Sequence, residues 1–167
     1  MKLLWKLLTD KDNIWVRTIT EKYLKEGNIL YYNSTKGNSW QFGRLLHLRN
    51  IFQTSIGWEV GDGKSIHFWT NRWIPNTLLS QLPNYNQQDK FETVDQYITQ
   101  EQTWDINKLQ QKVPPHIIKL ILQIYIPKTQ QEDRIIWMPN ANGDFTTSSA
   151  RGHLSNLSSS NHTTLFY

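Results

Sequence analysis

Apolar residues near the start of the chain recur at the spacing of an amphipathic helix. The recurring positions are Leu4, Leu7, Leu8, Ile14, Trp15, Ile19, Tyr23 and Leu24. The polar run at 10–13 interrupts the pattern, which therefore predicts two short helices rather than one. Asp12 or Asn13 can cap the second helix, and Gly27 with Asn28 can end it.

A third helix is predicted after a polar loop that runs to Asn38. Ser39 stands at the N-cap position, because apolar residues follow it at helical spacing. These residues are Trp40, Leu45, Leu46 and Leu48. We expect the helix to extend to about Thr54.

The periodicity changes from helical to alternating at residues 58–69. Apolar and polar residues alternate on both sides of Gly61-Asp62-Gly63, which predicts a β-hairpin. Glycine can adopt the positive φ that a tight hairpin turn requires. One face of this hairpin would carry Trp58, Val60, Ile66 and Phe68.

Loops and short helices dominate the following stretch. Residues 81–92 have turn chemistry without an apolar period, and they are predicted to form a connector. Three short helices are predicted after it, at 93–98, 105–111 and 115–125. Thr93 and Asp105 can act as N-caps, and Pro115 fits the first turn of its helix.

A second hairpin is predicted around the turn-rich residues 139–143, with strands at 133–138 and 144–147. Ser148 can cap a final helix. The Ser- and Asn-rich end of the chain has no apolar face to bury, and residues 153–167 are therefore predicted to be disordered.

Together these elements predict an α+β fold, with short helices and two β-hairpins in one small domain that ends in a disordered tail. The predicted regions are N-terminal helices with the Trp-rich hairpin at 1–80, the connector at 81–92, helices with the second hairpin at 93–152, and the tail at 153–167.

Composition and charge exclude only some classes of function. The net charge of +4, with an isoelectric point near 9.3, permits nucleic-acid binding without requiring it. The chain has no cysteine, which excludes disulfides, thiolate catalysis and Cys-containing zinc sites within it. It shows neither the apolar core of a signal peptide nor a run of about 18 apolar residues, so we expect an intracellular chain without a membrane span.

The segment from Gly57 to Pro75 carries the most distinctive pattern. Its defining residues are Trp58, Gly61, Asp62, Gly63, Ile66, Trp69, Trp73 and Pro75. This segment resembles the region that follows the polymerase domain in plant LINE-type (non-LTR) retrotransposon polyproteins, which include proteins described as ribonuclease H-like or reverse-transcriptase-like.

The resemblance extends over about Leu3 to Ala150. Its other landmarks are Trp15, Lys22-Tyr23 and Ser39-Trp40 upstream, and 94–98, Trp104, 133–137 and 142–150 downstream. Two positions depart from the family pattern: Asn71 replaces a usual Asp, and Arg151 replaces a usual Tyr. The resemblance implies the region between the polymerase and a Cys/His-rich zinc-binding-like domain, and hence a non-catalytic fragment without a cofactor.

The acidic and histidine residues agree with a non-catalytic interpretation. Polymerase and ribonuclease H chemistry needs clustered carboxylates that hold two Mg²⁺ ions about 4 Å apart, whereas the acidic residues here are scattered. Asp62 is interpreted as a turn residue, and Glu132-Asp133 as a solvated strand start. The five histidines lack ligand spacing, and Trp58 breaks the spacing of a phosphate-binding loop. No catalytic, cofactor-binding or metal-binding residue is therefore predicted.

Two binding roles are alternatives to this interpretation. The first is an accessory module that binds RNA or single-stranded DNA, since aromatic and basic side chains can stack on bases and contact phosphates. Its candidate contacts are Arg44, His47, Arg49, Lys64, Trp69 and Arg72. For the tryptophans, burial in a core is favoured over stacking. The second is a docking surface for neighbouring polyprotein domains. Neither alternative involves a small-molecule substrate or a membrane.

Overall fold

The α+β class is confirmed by a computed structural model, which describes residues 1–25, 28–32 and 39–162, apart from the side chains of 41 and 157–162. The helices are α1 (Lys2–Thr9), α2 (Ile14–Ile19), α3 (Trp40–Ser55), α4 (Ile106–Lys112), α5 (Pro115–Ile121) and α6 (Thr147–His162). The strands are β1 (Ile56–Glu59) and β2 (Arg134–Trp137). The 3₁₀ turns are Ile29–Tyr31, Leu79–Gln81, Gln87–Phe91 and Val94–Tyr97. Among the described helices, none is both long and apolar enough to cross a membrane.

Helices α2 and α3 begin where their local signals predict. The Asn13 side chain accepts a hydrogen bond from the Trp15 N–H at 3.0 Å, and the Ser39 hydroxyl accepts one from the Phe42 N–H at 3.3 Å. Such caps satisfy N–H groups that have no partner within the helix. After α2 the chain makes one π-helical turn at Thr20–Leu24, and it then leaves the helical conformation at Lys25, which has a φ of 45°.

The predicted helix stop at Gly27 and the loop residues 33–38 lie outside the described residues. Asn28 does not end a helix. Its side chain instead accepts from the Leu30 N–H at 2.9 Å and so begins the 3₁₀ turn at Ile29–Tyr31.

The two strands pair with each other, which corrects the prediction of two separate hairpins. The Met138 N–H donates to the Ser55 carbonyl at 3.0 Å, and Arg134 Nε lies 2.7 Å from a Glu59 carboxylate oxygen. These contacts set an antiparallel register. Residues 61–66 form bends rather than a returning strand, and His67 makes an isolated bridge with Thr93. Alternation determines which face of a strand is buried, but it does not determine the partner strand.

The second predicted hairpin also lacks its returning strand. Residues 144–146 are irregular, and α6 begins at Thr147. The Thr146 hydroxyl, not Ser148, receives the cap hydrogen bond, from the Ser149 N–H at 3.0 Å. The helix continues to His162, past the predicted start of the tail at 153, while residues 163–167 lie outside the described residues. Buried Ala150 and the contact of His153 with Ser55 anchor this helix, and tertiary anchoring outweighs weak helix propensity.

The chain forms two compact units, unit 1 (1–56 with 136–167) and unit 2 (57–135). In unit 1, Trp137 is fully buried, and its ring packs against Phe52 and Phe145 at centroid distances of 5.7 and 5.0 Å. Trp5 stacks on Phe145 at 5.4 Å. The Trp137 indole N–H donates to the Ser149 hydroxyl at 3.0 Å, so the polar edge of this buried ring is satisfied.

The core of unit 2 contains the predicted apolar face. Its members Trp58, Val60, Ile66 and Phe68 are all at most 7% exposed, so the face is buried as predicted. Residues that follow in the sequence complete the cluster, including those from α4 and α5. They are Trp69, Trp73, Ile74, Leu79, Val94, Tyr97, Trp104, Leu109, Val113, Ile117, Ile118, Ile121 and Ile126.

Candidate functional site

The tryptophans of the distinctive segment are structural. The Trp58 N–H donates to the Arg72 carbonyl at 2.8 Å, so the segment folds back on itself. The Trp73 ring stacks on Trp104 at 5.6 Å, and its indole N–H donates to the Phe68 carbonyl at 2.8 Å. Trp58, Trp69 and Trp73 are at most 7% exposed, which confirms the predicted burial. Their rings are therefore not available to stack on bases. Pro75 is exposed just beyond them.

The loop at 61–65 is held by a carboxylate from a distant part of the sequence. Asp133 Oδ1 accepts from the N–H groups of Gly61 and Gly63 at 2.8 and 2.9 Å, and Oδ2 accepts from the Ser65 N–H at 2.8 Å. We call this arrangement the Asp133 clamp. Ionised acceptors form stronger hydrogen bonds than neutral ones, and two oxygens can serve three donors. The interpretation of Asp133 as a solvated strand start is thus corrected.

Both glycines of the loop are required by geometry. A Cβ on Gly61 would lie closer than 3.0 Å to the carbonyl oxygens of Gln131 and Glu132. Gly63 has a φ of 75°, and a Cβ there would lie 2.6 Å from the Asp95 nitrogen. Only glycine fits such close backbone contact and adopts this φ without strain. Between them, the Asp62 carboxylate accepts from the Lys64 N–H at 3.2 Å, as predicted for a turn residue.

Asn71 closes the next turn of the same segment. Its side-chain oxygen accepts from the His67 N–H at 2.6 Å, and its own N–H donates to the His67 carbonyl at 3.1 Å. The residue is 6% exposed. An Asp at this position has the same acceptor oxygen, so the departure from the resembled pattern retains the geometry of the turn.

Glu92 is the centre of a second polar cluster in unit 2. Its carboxylate accepts from the Trp69 indole N–H at 2.9 Å, the Tyr97 hydroxyl at 2.7 Å and the Lys112 ammonium at 2.7 Å. Lys112 also lies 3.3 Å from the carboxylate of Asp89. The cluster therefore satisfies the polar edges of two core aromatic side chains with one partly buried charge.

This environment shifts the pKa values of its members. Burial favours the protonated form of Glu92, but the hydrogen bonds from Lys112, Trp69 and Tyr97 outweigh it and hold the pKa of Glu92 below its usual value. Burial, followed by the bond to Glu92, raises the pKa of Tyr97. The same bond to Glu92 raises the pKa of Lys112. Glu92 is thus held ionised as a structural acceptor.

The six predicted nucleic-acid contacts divide evenly between the units. In unit 2, Trp69 is 1% exposed, Arg72 is half-buried, and Lys64 is exposed with its ammonium 3.4 Å from Asp62. In unit 1, Arg44 and His47 are exposed on α3.

Arg49 of α3 is turned to the backbone. One guanidinium nitrogen donates to the carbonyls of Ile29 and Tyr32, and the Nε–H is buried. Arg49 and Trp69 therefore have structural roles, whereas Arg44, His47 and Lys64 remain accessible.

A polar cavity of about 430 Å³ lies beside the glycine loop. Asp62, Lys64, Asp95 and Lys128 line it together with several glutamines and threonines. The Lys128 ammonium donates to the Glu101 carbonyl at 3.1 Å, and Lys64 pairs with Asp62. The cavity wall thus contains one ion pair, between Lys64 and Asp62, and a lysine held by a backbone carbonyl. Among the described residues, no group of three or more His, Asp or Glu side chains is arranged to hold a metal ion.

Comparison with known proteins identifies a relative in a plant. Over 157 residues the chain is 27% identical to a protein of Arabidopsis thaliana named "putative ribonuclease H protein". The aligned region covers 89% of this chain and 25% of the relative. The chain therefore spans about a quarter of the length of the relative it matches, and its similarity to a ribonuclease H-like plant protein is confirmed at that level. No family model matches the chain, and no solved structure matches it.

Sequence reasoning missed both polar clusters. Asp133 lies 68 to 72 residues from the amides that it holds, and Glu92 lies 20 residues from Lys112. Local patterns carry no signal for such pairs. The sequence signal that points to the first cluster is Asp133 itself, an acidic residue that directly precedes a strand.

Replacing Asp133 with Asn should destabilise the protein by about 1.5–3 kcal/mol, because one neutral oxygen would replace two charged acceptors. Urea unfolding of the full chain measures the change. Glu132→Gln is the matched control, since it alters the exposed neighbouring carboxylate and should cost at most about 0.5 kcal/mol. Equal losses in the two variants would contradict the clamp.

Two glycine substitutions should act in opposite directions. Gly61→Ala should destabilise by roughly 3 kcal/mol, because the new methyl group meets rigid backbone. Gly43→Ala should stabilise by about 0.5–1 kcal/mol, since Gly43 lies in α3 and nothing lies within 4 Å of its added Cβ. Thermal unfolding of both variants checks the signs. A harmless Gly61→Ala would rule out the close contact.

The Glu92 cluster should make stability depend on pH in the acidic range. Because the folded pKa of Glu92 lies below the unfolded value of about 4.3, its stabilisation is present above that value and is lost as pH falls through the folded pKa. The stability difference between the parent and Glu92→Gln should therefore shrink as the pH falls below about 4.3 and through the folded pKa. Lys112→Met should reduce this pH-dependent part without abolishing it. A difference that stays constant over the range would contradict the assignment.

Proposed function

We propose that the chain is a non-catalytic segment of a retrotransposon-derived, reverse-transcriptase-like protein. In this proposal it corresponds to the connector region between the polymerase and a Cys/His-rich domain. The role of the chain in this proposal is structural. Unit 2 forms an aromatic core around the segment from Gly57 to Pro75 and fixes the loop at 61–65.

Two sequence observations support this origin. The named plant relative aligns with most of this chain but with only a quarter of its own length, as expected for one region of a longer protein. The Gly57 to Pro75 segment and its flanking landmarks resemble the region after the polymerase in LINE-type elements. The name of the relative refers to that protein as a whole. We do not assign ribonuclease H activity to the present chain.

The Asp133 clamp is the observation that carries the non-catalytic part of the proposal. Metal-dependent nucleases and polymerases direct several carboxylates toward one open site. Here Asp133 turns both oxygens toward backbone amides, and Glu92 accepts from two core aromatic side chains and a lysine. The carboxylates of Asp133 and Glu92 therefore accept hydrogen bonds from groups of this chain and have a structural role.

Direct assays test the lack of catalysis. The purified full chain should neither hydrolyse the RNA of an RNA–DNA hybrid nor extend a primer on an RNA template, with Mg²⁺ or Mn²⁺ present. A known ribonuclease H and a known reverse transcriptase, each added to the same preparation, control for inhibition. Activity that copurifies with the chain and disappears on substitution of one of its carboxylates would overturn the proposal.

The coding region around the chain tests the proposed origin independently. We expect a polymerase reading frame upstream and a Cys/His-rich frame downstream. Flanking sequence without either frame would count against a retrotransposon source, whatever the outcome of the activity assays.

Binding of RNA or single-stranded DNA is a second candidate function. The exposed side chains of Arg44 and His47, three residues apart on α3, support it. The burial of Trp69 removes one of the predicted contacts. Binding that weakens with salt and with Arg44→Glu would favour this role over a purely architectural one.

A further inference from the structure

A groove of about 620 Å³ lies among α1, α2 and α3 of unit 1. Its main apolar lining residues are Leu3, Trp15, Ile19, Trp40, Leu45 and Leu48. Three of these side chains are open to solvent: Trp40 is 73% exposed, Leu3 46% and Trp15 37%. Large apolar side chains gathered around one concave surface mark an interaction site.

The charges on these helices have one sign. The groove is lined by the cations Lys2 and Arg44 and by no acidic side chain among its described lining residues. The sequences of α1, α2 and α3 contain five basic residues and no Asp or Glu. The basic residues are Lys2, Lys6, Arg17, Arg44 and Arg49. Lys6 pairs with Asp10 at 3.9 Å and Arg49 faces backbone carbonyls, so Lys2 and Arg44 are the two of the five that line the groove. Such a surface is complementary to carboxylates.

Arg44 links the charge to the aromatic surface. Its guanidinium carbon lies 4.9 Å from the centre of the Trp40 ring, within the range of a cation–π contact. Trp40 and Arg44 are one helical turn apart on α3, so they form one patch at the edge of the groove. Tryptophan and arginine are the residue types most enriched at binding hot spots.

The lining favours a helix over a nucleic-acid strand. A single-stranded nucleic acid needs a row of cations that follows its phosphates and aromatic rings that take its bases. This groove has two cations, and its floor also contains aliphatic side chains such as Leu45, Leu48 and Ile19. A groove between helices with an aliphatic floor is the geometry that accepts the apolar face of another helix.

We propose that this groove binds an acidic amphipathic helix of a protein partner. Apolar side chains of that helix enter among Trp15, Trp40 and Leu48, and its carboxylates face Lys2 and Arg44. This inference goes beyond the proposed function and does not depend on it, because the groove would bind such a helix whether or not the parent protein is a retrotransposon product.

Selection from a peptide library tests both the shape and the sign of the charge. Displayed helices of about 18 residues would carry Leu at i, i+3, i+4 and i+7, with flanking positions varied among Glu, Lys, Gln and Ser. The full chain serves as bait. We expect Glu to be enriched at the flanking positions, and Arg44→Glu to reverse the enrichment toward Lys.

A selected Glu-rich peptide then measures the groove directly by fluorescence anisotropy. Trp40→Ala should weaken its binding about tenfold or more, because an exposed anchor is removed at little cost to folding. Tyr125→Ala and Lys119→Glu are matched controls on exposed residues of unit 2, and they should leave affinity within about twofold. Thermal unfolding of each variant verifies that it is folded.

Several outcomes would overturn the proposal. They are the absence of any enriched peptide, enrichment of Lys or neutral residues by the parent chain, and affinity that is insensitive to both groove variants. A single-stranded RNA oligonucleotide that displaces the peptide, and whose binding is lost in Trp40→Ala and Arg44→Glu, would assign the groove to nucleic acid instead. Catalytic activity of the chain would leave these measurements unaffected, so the two proposals can fail separately.

Discussion

The acceptance of three backbone N–H groups by Asp133 is the interaction on which the distinctive loop of unit 2 depends. The amides of Gly61, Gly63 and Ser65 belong to a stretch without a strand partner. Gly61 and Gly63 are buried, and buried amides must be paired. The sheet makes the clamp possible. Because Glu59 lies beside Arg134 in the antiparallel register, Asp133 arrives next to the start of the loop. Strand pairing positions the carboxylate, and the carboxylate fixes the loop.

The same constraint explains why the tryptophans belong to a core. Once the loop is fixed, the segment folds back so that the Trp58 N–H reaches the Arg72 carbonyl. The rings of Trp69 and Trp73 then enter the aromatic cluster, where their indole N–H groups find Glu92 and the Phe68 carbonyl. Burying one such ring is worth a few kcal/mol, about as much as stacking one or two bases, and it needs no ligand. The Trp-rich pattern of the Gly57 to Pro75 segment is therefore explained by packing of the core, without a nucleic-acid partner.

Sequence reasoning succeeded where the physical signal is local. The caps Asn13, Ser39 and Asp105 mark helix starts because each side chain satisfies an amide two or three residues away. The buried face of residues 58–68 follows from alternation. The pairing of β1 with β2 could not be predicted, because alternation does not identify the partner strand and residues 60–133 lie between the two strands.

The roles of the candidate site residues also divide into those with a local sequence signal and those without one. Asp62 could be assigned to a turn from its neighbouring glycines. All three partners of Asp133, and two of the three partners of Glu92, lie at least 20 residues away in the sequence. The exposure of individual tryptophans could not be predicted either. Trp69 is buried and Trp40 is exposed, although the sequence pattern does not distinguish them. Only tertiary packing distinguishes a core ring from a surface ring.

Charge is arranged differently in the two units. In unit 2, Lys64, Lys108 and Lys112 each lie within 4 Å of a carboxylate. The carboxylates of Asp133 and Glu92 accept their hydrogen bonds from groups of the same unit. The helices α1, α2 and α3 of unit 1 instead carry basic residues without a single Asp or Glu, around an apolar groove that holds exposed tryptophans. An exposed apolar groove bordered by Lys2 and Arg44, with no acidic side chain among its described lining residues, gains most from a ligand that supplies carboxylates and apolar side chains. Unit 2 therefore has the features of a self-contained scaffold, and the groove of unit 1 is where we propose that a partner helix binds.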